Sequence, residues 1–212
     1  IEQLLPELKE MEYVDIKGKF DSREDLLVLN VNSPAILYGT NELKGISMNV
    51  NTENDSLQYD VKLDQYQSGQ ILVNQASVAG YVNDNKIYFD VAANEQNLDQ
   101  NIKLSGMLQQ MAETFRFSLL KEGLTLNGEQ WAVKDNNALY FGKSGIKADD
   151  FILSSNGQSI SIESEKDQFN SPLNVAFKDF SIETITNIVS KDTLLIGGLI
   201  NGQAKIEDLA TT

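Results

Sequence analysis

The sequence predicts a mainly β protein: one long antiparallel sheet with two short amphipathic helices as caps. Three observations carry this. Apolar residues recur at every second position: Leu57, Tyr59, Val61 and Leu63 alternate with Gln58, Asp60 and Lys62, and Ile87, Phe89 and Val91, then Phe115, Phe117 and Leu119, repeat the pattern. Successive side chains of a strand point to opposite faces, so each segment has one apolar and one polar face. Strand-like runs also follow one another at a spacing of about 8–15 residues, which leaves no room for crossover helices. Finally, Asn127-Gly128, Asn156-Gly157 and Asn201-Gly202 stand between apolar runs. Both residue types accept the positive φ of a type I′ turn, so antiparallel hairpins are expected there.

In chain order, residues 1–10 read as a short helix: Leu4, Leu5 and Leu8 share one face, with Pro6 in the first turn, where proline is tolerated. Strands are expected over 13–20, 26–31, 46–50, 57–66 and 71–79, then 86–91, 102–108, 115–119, 124–126 and 131–133. The last group covers 139–141, 146–153, 159–163, 173–177, 194–200 and 203–206. Residues 51–56, 83–85 and 135–137 read as polar turns of a looser kind, and 105–113 as either a strand end or one helical turn. A second helix is expected over 179–190, with Ser181 as N-cap, Glu183 in the first turn and Ile182, Ile185, Ile188 and Val189 along one stripe. No linker divides the chain, and residues 1–212 read as one β segment.

Composition narrows the chemistry. With no histidine and no cysteine, disulfides, thiolate metal sites and the common nucleophile–base pairs are excluded. A net charge of −14, from 31 acidic and 17 basic residues, opposes binding to nucleic acid or to an anionic membrane surface. The longest apolar run, residues 194–200, is far below the roughly 18 residues of a membrane helix. The chain opens on Ile1, without a signal peptide, and stops at Thr212 straight after a strand-like run, and so reads as a segment of a longer protein.

Other motifs have plain readings. Gly142-Lys143-Ser144 matches the end of a phosphate loop, but position 137 is Asn137 rather than glycine and the flanks are strand-like, so a tight turn is expected. Asp149-Asp150, Glu163/Glu165 and Asp15/Asp21 lack calcium-loop spacing and read as solvated surface. Trp131, the only tryptophan, reads as core rather than as a sugar platform. The strands look shorter than those of a transmembrane barrel.

The order of features resembles a known family. A helical start precedes Ile16-Lys17-Gly18-Lys19-Phe20-Asp21-Ser22, followed by Pro34-Ala35-Ile36-Leu37-Tyr38 and a train of amphipathic strands containing Asn85-Lys86-Ile87. Leu126-Asn127-Gly128-Glu129-Gln130-Trp131, Ser155-Asn156-Gly157-Gln158 and Leu199-Ile200-Asn201-Gly202-Gln203-Ala204 follow. Together, over essentially the whole chain, they resemble the periplasmic repeat region of the TamB family (translocation and assembly module), within the AsmA-like bacterial envelope proteins. The resemblance implies a β-taco, a sheet curled into a half-pipe with apolar residues inside. It implies a periplasmic location, in a protein anchored in the inner membrane of a Gram-negative bacterium, and a non-enzymatic role in phospholipid transfer to the outer membrane and in outer-membrane protein assembly and secretion. An outer-membrane barrel partner is implied by the family alone.

The physical reading runs parallel. An apolar groove could hold acyl chains by burial, at about 0.8 kcal/mol per methylene. The expected wall residues are Leu57, Tyr59, Val61, Leu63, Ile87, Phe89, Val91, Phe115, Phe117 and Leu119. No catalytic residue, metal or cofactor is expected, and an unclosed sheet invites an edge-strand dimer. The alternatives are a cell-surface β-sandwich that binds glycan or protein, with a sealed core and exposed aromatics, and a hydrolase using an acidic pair.

Overall fold

The computed structural model describes residues 7–53, 55–69, 71–94, 101–184 and 197–207. Their strands belong to one antiparallel sheet of 16 strands that is not closed. The chain divides into two compact units: residues 1–83 with 89–101, and residues 84–88 with 102–212.

The first unit is a meander. Strands β3 (Leu26–Tyr38), β4 (Asn41–Glu53), β5 (Ser56–Ser68) and β6 (Ile71–Asn83) each run 13 residues, about 43 Å of extended chain. Tight hairpins join them, with Tyr38 pairing Asn41, Glu53 pairing Ser56 and Ser68 pairing Ile71. Positive φ at Gly39 (62°), Asp55 (57°) and Gly69 (59°) supplies the left-handed conformations that two-residue connections need. Two short strands, β1 (Leu8–Met11) and β2 (Asp15–Asp21), lie on successive lengths of the same edge of β3. Strand β7 (Lys86–Asn94) follows β6 through Asp84 and Asn85, both at positive φ.

One row crosses β3–β6 without ladder pairs. Pro34, Gly45, Asp64 and Gln75 lie level with one another, and the register is the same on both sides of them. Pro34 has no N–H to give, while Gly45 (φ 61°) and Gln75 (φ 50°) leave the extended region. The Asp64 carboxylate crosses Gly45 so closely that a Cβ there would sit 2.0 Å from its Oδ2. On one side of the row the apolar positions are Val31, Met48, Val61 and Val78; on the other they are Ile36, Leu43, Tyr66 and Val73. The parity of the pattern reverses across the row in β4 and β5, where polar residues flank Leu43 and Tyr66. One irregular residue per strand uses up one step of the alternation, which keeps the apolar side chains on one face.

The second unit branches. Strand β9 (Thr114–Leu126) pairs along one edge with β8 (Asn101–Met111). Its other edge serves two partners, β11 (Ala138–Gly142) at residues 114–117 and β10 (Glu129–Val133) at residues 124–126. A bulge separates the two stretches: Gly106 pairs Leu119, but Leu104 already pairs Leu124. Gly123 is required there, because a Cβ would lie 2.4 Å from the Ser105 carbonyl oxygen. Buried Asn137 completes the ladder, donating from Nδ2 to the Leu119 carbonyl (2.9 Å) and accepting at Oδ1 from the Leu119 N–H (2.8 Å). One branch ends with β12 (Gly145–Asp149) on β11. The other runs from β10 through β13 (Phe151–Ser155), β14 (Gln158–Ser164) and β15 (Leu173–Ser181) to β16 (Leu199–Ile206). The branches enclose Leu119, Leu124, Trp131, Val133, Phe151 and Phe180, with Leu139, Ile160 and Phe177 packed against them. Trp131 and Phe180 are each 1% exposed, with ring centroids 5.9 Å apart.

Several expectations need correction. Residues 8–11 form a strand rather than part of a helix, because the edge of β3 offers a ladder that a short, marginal helix cannot match; residues 1–6 lie outside the described residues. Residues 179–181 end β15, Glu183 and Thr184 begin a helical turn, and 185–190 lie outside the described residues, so neither helical cap is part of the described fold. The strands β3–β6 are longer than the alternation alone indicated, since polar residues beyond the expected ends, such as Asn32, Asn51 and Gln67, simply occupy the other face. Residues 115–126 are one bulged strand, and 146–153 are two strands broken at Asp150 (φ 48°). Residues 105–111 are strand, and the turns at 51–56 and 83–85 are tight. Asn127-Gly128 and Asn156-Gly157 are positive-φ hairpin turns as expected. Asn201-Gly202 instead runs extended inside β16, because Asn201 exchanges hydrogen bonds with Asp179: its Oδ1 accepts the Asp179 N–H (2.8 Å) and its Nδ2 donates to Oδ1 (3.0 Å).

Candidate functional site: an open apolar sheet face

Residues paired across an antiparallel ladder share a face. Leu57, Tyr59, Val61 and Leu63 therefore stand beside Val82, Gly80, Val78 and Ala76 of β6. On the other flank Thr52, Val50 and Met48 of β4 pair with Leu57, Tyr59 and Val61, and continue to Leu29 and Val31 of β3. The opposite face carries Asn49, Asp60, Ser47 and Lys62, with a Lys62–Asp60 ion pair at 3.0 Å. Around Tyr59 and Val61 the sheet is apolar on one side and mainly polar on the other.

No second layer of described residues seals the apolar side. Val50, at 6% exposure, is the first unit's only buried hydrophobic residue among the described residues; Leu57, Tyr59, Val61 and Leu63 are half-buried, and Val78 is 38% exposed. Partial burial, and secondarily the charge of Asp90, hold the Tyr59 phenol above its ordinary pKa, so the ring is neutral at physiological pH.

The ten expected wall residues separate. Leu57, Tyr59, Val61 and Leu63, with half-buried Phe89 and Val91, lie in the first unit. Ile87 belongs to the second unit and is 37% exposed. Leu119 is a core residue there at 6% exposure, Phe117 packs on Phe151 at 6.2 Å, and Phe115, 37% exposed, stacks on Phe141 at 5.7 Å. The alternation rule missed Leu29, Val31, Met48, Val78 and Val82, although each obeys it; only cross-strand register shows that they share a face with Leu57, Tyr59 and Val61.

The acidic clusters are occupied by lysines. Asp150 is ion-paired with Lys134, Asp149 and Asp167 with Lys147, Glu165 with Lys205 and Asp15 with Lys17. Burial lowers the pKa of Lys147, but its bonds to Asp149 and Asp167 outweigh that and raise it, while Glu165 and Asp167 are held low by their lysine partners. Lys147 also caps the Tyr140 ring at 4.9 Å. Gly142-Lys143-Ser144-Gly145 is the β11–β12 hairpin turn, and Trp131 is core. Among the described residues, no three histidine, cysteine, aspartate or glutamate side chains come together as a metal site.

No protein-family model, curated protein or solved structure matches this chain.

Proposed function

We propose that the first unit binds phospholipid acyl chains on its apolar face, as a non-enzymatic segment of a TamB- or AsmA-like periplasmic bridge that passes lipid between membranes and supports outer-membrane assembly. The observation that carries this reading is a single sheet whose apolar side has one buried hydrophobic residue and a continuous lining of half-exposed ones. Uncovered apolar area of this kind is a favourable surface for hydrocarbon, at about 25 cal/mol per Å² removed from water. Contacts between hydrocarbon and apolar side chains are non-directional, so an acyl chain can slide along the lining without breaking specific bonds to it. The phosphate headgroup stays in water, which avoids the cost of burying charge.

Two measurements test this. A photoreactive side chain at Val61, on the apolar face, should form lipid adducts after incubation with phospholipid vesicles, while the same group at Asp60, on the polar face, should not. Native mass spectrometry of the purified chain should find phospholipid bound. Absence of lipid in both experiments, or equal labelling of the two faces, rejects the reading. A second reading, a surface module that binds glycan, is favoured by the exposed Phe115–Phe141 stack in the second unit; it requires glycan binding that Phe141→Ala abolishes.

A further inference from the structure

Among the described residues, strand β16 ends the hydrogen-bonded path and pairs only with β15, and all eight of its residues are exposed. Ile200, Gly202, Ala204 and Ile206 pair with Phe180, Phe177, Val175 and Leu173, and so lie on the core side of the second unit. That side is left uncovered at its margin, with Ile200 36% and Ile206 45% exposed. Asn201, Gln203 and Lys205 lie on the other side. The strand is held firmly in this position. Asn201 and Asp179 tie it to β15, and the Glu183 carboxylate accepts the Gly198 N–H (3.1 Å to Oε1) just ahead of it.

We infer that β16 is a homodimer interface, in which two copies join their β16 edges antiparallel about a two-fold axis normal to the sheet. An edge strand presents unpaired backbone donors and acceptors that another strand satisfies. A two-fold of this kind pairs each residue with a residue on the same face of the other copy, and isologous pairs are the commonest protein assembly. The pattern of β16 reads the same from both ends about Gln203. With the axis there, Ile200 meets Ile206 of the second copy, Gly202 meets Ala204, and Asn201 meets Lys205. Ile200, Ile206, Gly202 and Ala204 face apolar partners, Leu199 meets Glu207 at the end of the strand, and no like charges oppose one another.

The other end of the sheet does not fit itself in this way. Strand β2 is also an edge, with Ile16 64% and Phe20 74% exposed. The register about Gly18 that brings Ile16 onto Phe20 sets Lys17 against Lys19 and Asp15 against Asp21. Each of those like-charge pairs occurs twice across a two-fold and disfavours the pairing. The charges thus select a second copy at β16 and not at β2.

The test uses the 212-residue chain. Sedimentation velocity should give a concentration-dependent species of twice 23.6 kDa. Ile200→Lys and Ile206→Lys should each weaken it at least about tenfold with an unchanged far-UV spectrum. Because the chain has no cysteine, Gln203→Cys places a single thiol on the proposed axis and should give a disulfide dimer on mild oxidation. Gly18→Cys, on the corresponding axis of β2, should not. A chain that stays monomeric and gives no Gln203→Cys dimer overturns the inference. So does a dimer that crosslinks through Gly18→Cys, or a ladder of higher oligomers, which indicates head-to-tail joining of unlike edges.

Discussion

The two units use the same alternating pattern and reach opposite results. Among the described residues, nine of the ten buried hydrophobics belong to the second unit and only Val50 to the first. The difference lies in where each unit breaks its strands. In the first, the irregular residues Pro34, Gly45, Asp64 and Gln75 stand in one row, so four strands of 13 residues bend together and remain one layer. In the second, β9 breaks at 120–123 without a level row of irregular residues in its neighbours, and that strand serves two different partners on one edge. A shared irregularity preserves a sheet, and a private one lets the sheet divide and enclose a core.

Removing core from each unit gives the largest test of this contrast. Trp131→Ala should cost about 3–5 kcal/mol in urea denaturation followed by circular dichroism, as expected for a buried aromatic. Val61→Ala, on the open face, should cost about 1 kcal/mol or less. Equal costs would show that the face is as closed as the core. Next in size, Asn137→Ala leaves the Leu119 N–H and carbonyl without partners inside the branch point and should cost about 1–3 kcal/mol. Gly45→Ala should cost about 1–2 kcal/mol, since alanine is disfavoured at φ 61° and meets the Asp64 side chain. Gly45→Ala with Asp64→Gly should recover the steric part alone.

The smallest effect concerns pH. The Glu183 pKa is lowered from 4.5 by hydrogen bonds from the Ser181 hydroxyl, its own N–H and the Gly198 N–H. A carboxylate whose folded pKa is depressed stabilises the fold above the unfolded value and loses that contribution as pH falls through the folded one. Below about pH 4.5, hydrogen exchange at 198–200 should therefore quicken relative to its intrinsic rate. Glu183→Gln should show the faster exchange at every pH.

These differences also set the limits of what the sequence discloses. Strand identity was legible because Tyr59, Phe89 and Phe117 sit in unbroken alternation, and Trp131 was legible as core because a lone large aromatic among apolar strands is seldom left in water. Strand length was not, because polar residues on the outer face of β4 and β5 look like loop. The strand at 8–11 was hidden because its ladder partners lie 25 to 30 positions away, at Ile36–Tyr38. The separation of Leu63 from Leu119 could not be read either. Both obey the same period, and only the β9 bulge and the Asn137 side chain put one of them in a core. Asn201-Gly202 misled for a similar reason, since a turn signal yields to a side-chain bond with a residue 22 positions away.

The unpaired row across β3–β6 also constrains how this chain can change by descent. A deletion of Gly45 alone would carry half of β4 out of step with both neighbours and turn Leu43 to the wrong side. A deletion of all four row residues would restore plain alternation in each strand, with every pairing intact. The four positions are therefore one heritable character spread over 42 residues of chain, from Pro34 to Gln75, and lineages should keep or lose it whole.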